Sequence, residues 1–555
     1  MYVEAATKDM IAHRINDFIT SITEAADTAL IEQWDHFKRQ LEADIIALKK
    51  EARQRTNNGY RQRIGRLKKK INAIQTDTPA SSKQRKDWVK ALRTNQKQYR
   101  ALKRRMLQNR NVWTSTTSAK FFFQRLSTKY GDNIIPTLNQ KAGAPPRDIH
   151  DKTSILTDHW FACLNGIAGS PGEADAFIQK YMERWQKTDV TELDDEITED
   201  EVAAAIAKCK LGKSCGPDNL GNEWYKDYHS LLTPLLTRLY NACMQQGKMP
   251  ETFSEAYIFS ISKGGNTANA LNYRPIALLN TGYKILTRIL AWRVHKYIRK
   301  LVHATQFGLR MIHDAINILE AAKKAAHNNE TLSNAQVLLL DFAKAYDSLD
   351  RAYLFKILRA KGFPPLFIRA IQAMHQHTSV KFMANGTLSD SMSVISGIRQ
   401  GCPLALLLFI IAGEENEREV QVGGFADDTV VYLAAKQMQE EALPTVHRCS
   451  AVSGLRLNVA KSTAIRLGQD KVGDGCGDSE SEHRDTNQVA ETKLTRCLGH
   501  MTGPEDTVGA AWTKAFEALT VRLALAVRKT NSAQERAMIA RVIIVPKLLF
   551  VARHA

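Results

Sequence analysis

Apolar residues recur at helical spacing through roughly the first 130 residues of the chain. Leu30, Trp34, Phe37 and Leu41 lie three or four positions apart, a spacing that aligns side chains along one face of an α-helix. We therefore predict long helices in this region. Ser170-Pro171-Gly172 is predicted to form a loop, because proline and glycine are typical of turns.

From about residue 195 the pattern changes to shorter elements with stronger end signals. Thr198 precedes an apolar periodic segment, and Glu201 follows three residues later. That spacing predicts a capping box at the start of a helix, with Cys209 on its inward face. More helix is predicted to about Gly247.

Three strand patterns follow in the second half of the chain. Gln336–Asp341 is an apolar run with an acid at its end. Ser379–Ala384 and Leu388–Val394 flank Asn385-Gly386, the strongest short signal for a hairpin. Phe425–Asp428 precedes a β-branched run, which predicts a second hairpin with two acids at its tip. The last 45 residues again predict helix, whereas the polar segment 469–490 predicts a disordered loop.

The chain is strongly basic, and its charge is concentrated. Its 555 residues carry a net charge of +19, and 44% of them are hydrophobic, enough for a sizeable core. Residues 51–110 hold 19 Lys and Arg against Glu51, Asp77 and Asp87. Such a block favours a nucleic-acid-binding arm, and a solvated basic helix is the alternative. The candidate contacts are Arg61, Arg63, Arg66, Lys68, Lys69, Lys70, Arg104 and Arg105.

Asp341, Asp427 and Asp428 are the candidate metal ligands. A lone acid at a strand end is usually a turn former, but two adjacent acids on a tight hairpin repel each other, and a cation relieves that repulsion. Oxygen ligands favour Mg²⁺ over zinc, and no two of the eight cysteines have C-x-x-C spacing. The longest apolar run, Leu404–Ala412, is too short for a membrane span of about 20 residues.

Several ordered motifs resemble those of LINE-type (non-LTR) retrotransposon reverse transcriptases. In chain order, these motifs are Lys213–Asp218, Asn272–Leu279, Gln306–Gly308, Leu339–Ser348, Arg399–Leu404, Phe425–Asp428 and Ser453–Ser462. Each motif alone is weak evidence, and their common order makes the resemblance specific. The basic N-terminal region resembles the family's linker more loosely.

The resemblance implies an α+β fold with the right-hand architecture of polymerases. Residues 191–330 would form the fingers, 331–500 a palm with an antiparallel sheet, and 501–555 part of a helical thumb. Residues 1–190 would be a helical, basic N-terminal region.

The resemblance also implies the activity, which is RNA-directed DNA synthesis from a 3′-hydroxyl. Asp341, Asp427 and Asp428 would be catalytic and would hold two Mg²⁺ or Mn²⁺ ions, with the backbone carbonyl of Phe342 completing a metal shell. The implied partners are an RNA template, a DNA primer or target, and deoxynucleoside triphosphates. No membrane partner is expected, and the implied location is intracellular, in the nucleus or in a cytoplasmic ribonucleoprotein.

The implied nucleotide-binding residues fall into three groups. Lys263 and Arg274 would meet the triphosphate, and Gln400 and Gly401 would border the templating base. Tyr346 would exclude a 2′-hydroxyl, although a plain core aromatic is the alternative by spacing alone. Lys461 would donate a proton to pyrophosphate, and a surface lysine is the alternative.

The chain departs from the family pattern at three places. Ala405-Leu406 replaces the usual Ser-Pro, the segment from Gly401 to Asp427 is short, and Gln306–Arg310 lacks a few residues. With an end inside the thumb, the chain resembles an internally shortened and C-terminally truncated copy. We therefore expect weak or absent polymerase activity from an imprecise palm. A decayed copy that only binds nucleic acid, and a group II intron maturase-like enzyme, are the alternatives.

Overall fold

The computed structural model divides the chain into two units. The smaller comprises Met1–Thr23 and His36–Tyr130, and the larger comprises Glu24–Asp35 and Gly131–Ala555. The structure describes residues 5–24, 26–74, 78–110, 135–143, 148, 151–167, 169, 171–182, 188–303, 305–306, 312–413, 421–425, 428–468, 488–504, 507–529 and 532–554.

Long helices form the described part of the smaller unit. They are α1 (Ala5–Ile22), α2 (Asp27–Ala73), whose first residues belong to the larger unit, and α3 (Pro79–Arg110). Phe18 stacks on Phe37 with ring centroids 4.3 Å apart, and Tyr60 stacks on Tyr99 at 5.5 Å. The prediction of long helices is confirmed for the described residues up to Arg110.

The larger unit mixes helices with sheets. Its helices are α4 (Lys152–Leu164), α5 (Pro171–Met182), α6 (Glu199–Ala207), α7 (Asn222–Asp227), α8 (His229–Gln246), α9 (Glu251–Ser254), α10 (Thr281–Leu301), α11 (Ile312–His327), α12 (Ala345–Ser348), α13 (Arg351–Ala360), α14 (Pro365–His375), α15 (Ala405–Ala412), α16 (Gln439–Ser453), α17 (Val508–Lys529), α18 (Ala533–Ile539) and α19 (Val545–His554). Its strands are β1 (Glu255–Ser262), β2 (Tyr273–Leu279), β3 (Gln336–Asp341), β4 (Ser379–Ala384), β5 (Thr387–Leu388), β6 (Met392–Ser393), β7 (Gln421–Phe425), β8 (Asp428–Leu433), β9 (Thr463–Arg466), β10 (Thr495–Cys497) and β11 (His500–Thr502).

The strands form three sheets. One has the order β7-β8-β3-β9, and all its neighbours are antiparallel. The second has the order β2-β1-β4-β5, with β6 also paired to β4, and its β1–β4 pair is parallel. The third is the small β10-β11 pair. The mixture of helices and sheets agrees with the α+β class that the resemblance implied.

Both faces of the four-stranded sheet are covered. Leu338 and Leu340 of β3 belong to one apolar cluster with Leu443 of α16. Val337, from the alternate side of the strand, belongs to another cluster with Leu319 of α11. A strand covered on both faces needs a continuous apolar run, and this requirement explains the uninterrupted sequence that ends at Asp341.

Local end signals were reliable in two places and failed in a third. The capping box of Thr198 and Glu201 is present, and Asn385 and Gly386 both have positive φ in the turn after β4. The loop predicted at Ser170-Pro171-Gly172 is wrong for its last two residues, since Pro171 begins α5. Proline suits the first turn of a helix, because its φ is already helical and its missing N–H has no intrahelical partner there.

Some predictions fall outside the described residues. They concern most of the segment 469–490, the motif from Phe307 onward, and Asp427. Among the helices that the structure describes, none combines the length and apolarity that a bilayer span requires.

Candidate active site

Two acids meet at the end of the central strand pair. The register of β3 and β8 sets Asp341 opposite Asp428 and Leu339 opposite Val430. Residues directly opposite each other in an antiparallel pair project from the same face, so the two carboxylates lie side by side. The β7–β8 pairing ends at Phe425 and Asp428; Asp427, in the connection between them, lies outside the described residues.

The donor chemistry of this pair suits a hard divalent cation. Directly opposed like charges destabilise a strand pair, and a cation between them removes that repulsion. Burial, and then the charge of Asp428, raise the pKa of the buried Cys497 thiol to about 12, and the carboxylate oxygens of the two acids are donors that such a cation prefers. Within the described part of the chain, no cluster of three or more His, Cys, Asp or Glu is present.

Asp341 is fixed by the turn that ends the glycine-containing motif Ser453–Ser462. The backbone N–H of Asn458 donates to the Asp341 carbonyl oxygen at 2.8 Å, and Asn458 Nδ2 lies 3.3 Å from its Oδ2. The Asp341 N–H donates to Ser462 Oγ at 3.1 Å. Gly454 begins this connection with a φ of +78°, and an added Cβ would lie 2.5 Å from the Ser348 carbonyl oxygen. A glycine is therefore required there.

Gln400 and Gly401 are held against β2. The backbone N–H of Ala277 donates to the Gln400 carbonyl oxygen at 2.8 Å. Gly401 has a φ of +121°, and a Cβ there would lie 2.6 Å from the Ala277 carbonyl oxygen. Gly401 therefore lies against the backbone of β2, and its place beside a templating base stays a prediction.

Two buried arginines secure the loop that leads to Gln400, and sequence reasoning assigned neither a role. The Arg351 guanidinium donates to the carbonyl oxygens of Gly397, His375, Val394 and Ser396 and to Thr378 Oγ1. Arg399 donates to the carbonyl oxygens of Phe253 and Met374 and lies 4.3 Å from the Tyr283 ring centroid. Burial lowers the pKa of Arg351 to about 9, and the nearby Arg399 lowers it further. Arg399 begins the motif Arg399–Leu404, whereas no local pattern in the sequence singles out Arg351.

Asp347 was not among the predicted site residues, but it contacts Gln400 and interacts electrostatically with Lys263 and Arg274. Its side chain is 5% exposed, and Gln400 Nε2 donates to its Oδ2 at 2.9 Å. Burial raises its pKa to about 7, against the lowering effects of the nearby Lys344, Lys263, Gln400 and Arg274. The only sequence signal was its position next to Tyr346.

Lys344 is a second residue that the sequence analysis passed over. Its Nζ donates to the Leu271 carbonyl oxygen and lies 4.6 Å from the Trp160 ring centroid. Burial and the nearby Lys263 lower its pKa to about 8. Lys263 itself is exposed just beyond β1, and Arg274 is exposed on β2, opposite Ile261. These three cations act together on Asp347, whose pKa each of them lowers.

The remaining predicted residues lie close to these elements. Tyr346 stacks on Phe409 of α15 with ring centroids 4.5 Å apart and planes inclined by 25°. Its ring is thus braced and only partly buried. Phe342 pairs with Leu457 through an isolated β-bridge. Lys461 is exposed in the turn between Asn458 and β9.

The basic segment 51–110, called the basic window below, contributes exposed surface to the smaller unit. The side chains of Arg61, Arg63, Arg66, Lys68, Lys69 and Lys70 on α2 are all exposed. Aromatic contacts tie α2 to α3, since Lys70 Nζ lies 5.5 Å from the Trp88 ring centroid. The side chains of Arg104 and Arg105 lie outside the described residues.

Comparisons with known proteins identify relatives of the region that contains this site. Residues 261–502 match the family described as reverse transcriptase (RNA-dependent DNA polymerase). The Xenopus laevis transposon TX1 uncharacterized 149 kDa protein is 27% identical over 299 residues, which are 50% of this chain and 23% of that protein. The Drosophila melanogaster Pol polyprotein from the type-2 retrotransposable element R2DM is 23% identical over 366 residues, 63% of this chain and 34% of that one.

A third relative carries an activity in its name. The probable RNA-directed DNA polymerase from transposon BS of Drosophila melanogaster is 24% identical over 259 residues, 44% of this chain and 28% of the relative. The chain thus spans between about a quarter and a third of the length of these relatives.

Proposed function

We propose that this chain, which carries a reverse-transcriptase domain over residues 261–502, is an RNA-directed DNA polymerase from a non-LTR retrotransposon. It would extend the 3′-hydroxyl of a DNA primer on an RNA template with deoxynucleoside triphosphates. The observation that carries the proposal is the register of Asp341 opposite Asp428 inside the matched region. Paired carboxylates on adjacent strands are what metal-assisted phosphoryl transfer requires.

Asp341, Asp427, Asp428 and the carbonyl of Phe342 would hold two Mg²⁺ or Mn²⁺ ions. Such ions, when bound, supply charge stabilisation to phosphoryl transfer. The protein's own contribution to this site is alignment. Asn458 and Ser462 fix the backbone of Asp341 on both sides, so that its carboxylate is preorganised for a transition state that tolerates little displacement.

The cations and the aromatic ring beside Asp347 have separate roles in this proposal. Lys263 and Arg274 bind the triphosphate, whose charge shifts during transfer and needs fixed positive partners. Gln400 and Gly401 border the templating base. Tyr346, braced by Phe409, excludes a ribose 2′-hydroxyl, and the exposed Lys461 donates a proton to pyrophosphate.

We further propose the polymerase subdivisions of the chain. Residues 191–330 act as fingers, 331–500 as palm and 501–555 as part of a thumb, with 1–190 as the basic N-terminal region. The sheet β7-β8-β3-β9 falls within the palm and supports this division. Residues 131–190 belong to the same compact unit as the sheets. We therefore expect them to pack with the polymerase subdivisions and not only to precede them in the chain.

The test is primer extension by the whole chain on poly(rA)/oligo(dT) with Mg²⁺ or Mn²⁺. Template-dependent synthesis that EDTA abolishes is the expected result. Primer–template binding without any extension, under both metals and at high enzyme concentration, would contradict the proposal and favour the decayed-copy alternative.

The basic window is proposed to bind nucleic-acid phosphates. Replacing Arg66, Lys68, Lys69 and Lys70 with Gln in the full chain should flatten the salt dependence of template binding. If all four residues contact phosphates, the magnitude of the slope of log K against log salt falls by about three to four. Raising the salt from about 50 to about 200 mM would then weaken the variant's binding by roughly 100-fold less than it weakens wild-type binding. Titrations followed by fluorescence anisotropy measure this slope.

A charge-matched control separates the window from net charge. The residues Lys208, Lys248, Lys296 and Lys300 are exposed in the larger unit. Their replacement with Gln removes the same charge and should change the slope less. Equal slopes for both quadruple variants would mean that the window is only a solvated helical surface.

A further inference from the structure

A buried acid that the motif comparison did not single out touches a residue of the nucleotide-binding set. The backbone of Asp347 is pinned on two sides. Its N–H donates to the Lys344 carbonyl oxygen at 2.8 Å, and the carbonyl oxygen of the preceding Tyr346 accepts from the Ile398 N–H at 2.8 Å. With the backbone fixed and the side chain 5% exposed, the carboxylate has little freedom to turn away from Gln400.

Gln400 is fixed at its backbone and free only in its side chain. Its carbonyl oxygen accepts from Ala277 at 2.8 Å, and Gly401 follows in a conformation that other residues adopt with strain. The side chain is half-buried. Its Nε2 donates to Asp347 Oδ2 at 2.9 Å, and this contact restricts the torsions that remain.

The charge of Asp347 decides which way the Gln400 amide faces. An ionised carboxylate accepts hydrogen bonds and cannot donate them, whereas an amide has one accepting and one donating end. The nitrogen must therefore face Asp347, and Oε1 must face away from it. Burial raises the pKa of Asp347 to about 7, so both forms are present near neutral pH, and Lys344, Lys263 and Arg274 favour the ionised one.

We propose that Asp347 is a positioning residue for nucleotide selection, which holds the Gln400 amide in one orientation at the border of the templating base. This inference rests on the proposed polymerase function. Without Asp347, the Gln400 side chain samples several rotamers. Ordering that side chain then reduces the binding free energy of the incoming deoxynucleotide. The loss therefore falls on KM for the deoxynucleotide and on discrimination against mismatches, with little change in kcat.

The test uses Asp347→Leu, Asp347→Asn, Gln400→Leu and Asp347→Leu/Gln400→Leu in the full chain. Asp347→Leu should raise KM about tenfold or more, as loss of a hydrogen bond to a charged group implies, with kcat within about threefold. Asp347→Asn keeps an oxygen that can accept from Gln400 Nε2, so its KM should stay close to the wild-type value. In the Gln400→Leu background, Asp347→Leu should add less than about twofold. Asp390→Leu, at an exposed acid between β5 and β6, is the control and should behave as wild type.

Three results would overturn the inference. They are an unchanged KM in Asp347→Leu, equal losses in the Asn and Leu variants, or a full additional loss in the Gln400→Leu background. Failure of the proposed function looks different, because the wild type itself would then extend no primer. The contact is still tested in that case by the melting temperatures of the same proteins. The two single Leu substitutions should shift the melting temperature non-additively, and additive shifts would contradict the coupling.

Discussion

Asp341→Asn should reduce primer extension by about 1,000-fold or more, because a carboxylate that serves phosphoryl transfer acts mainly in the transition state. The substitution keeps the size of the side chain and an oxygen that can accept from Asn458 Nδ2. The fold should therefore survive, and the loss should appear in kcat. Single-turnover extension with saturating nucleotide measures it.

The control is Asp390→Asn, which removes one carboxylate at an exposed position outside the site. It should extend primers as wild type does, and both variants should keep the wild-type melting temperature. Extension by Asp341→Asn near the wild-type rate would remove Asp341 from the catalytic set. The same comparison with Asp428→Asn, directly opposite in the register, shows whether the second acid also contributes to catalysis.

The elements that local patterns specify were predicted well from the sequence. The bounds of β3 follow from an apolar run closed by an acid. The turn follows from the Asn385-Gly386 pair, and both residues have the positive φ that such a turn needs. Both depend on a few consecutive residues, so they need no knowledge of the rest of the fold. The opposition of Asp341 and Asp428 goes one step further, because two separately predicted strands had to pair in one register.

Contacts between distant segments could not be predicted in the same way. The parallel pairing of β1 with β4 joins residues more than 100 positions apart, and no local periodicity encodes it. Arg351 reads as an ordinary helical arginine, and only the assembled fold shows its five acceptors around the loop before Gln400. Asp347 was missed for the same reason.

The short segment before the acid pair was the main reason to expect an imprecise palm. Glycines usually weaken strands, yet β7 forms across Gly423 and Gly424 and pairs with β8 from Gln421 to Phe425. The pairing stabilises β7 despite its glycines, because its partner β8 is itself held in the sheet by β3 along its whole length. Residues 414–420 lie outside the described residues, and weak or absent activity stays a prediction for the extension assay.

Tyr346→Ala should weaken the selection of deoxynucleotides over ribonucleotides by roughly 100-fold, within the range that one pocket contact can supply. The ring is placed for this role by its stack on Phe409, with centroids 4.5 Å apart, so it cannot swing aside without breaking that contact. The spacing of five residues from Asp341 sets it in the short helix α12, which follows β3 after a turn. Incorporation of a single ribonucleotide against the matching deoxynucleotide measures the ratio.

Tyr346→Phe is the matched variant, because it keeps the ring and its stack and removes only the hydroxyl. If the ring excludes the 2′-hydroxyl by its bulk, the Phe variant should select as strictly as wild type while the Ala variant does not. A ratio that is unchanged in the Ala variant would mean that Tyr346 only packs against Phe409. A loss of selection in both variants would instead assign the discrimination to the tyrosine hydroxyl, which contradicts exclusion by ring size.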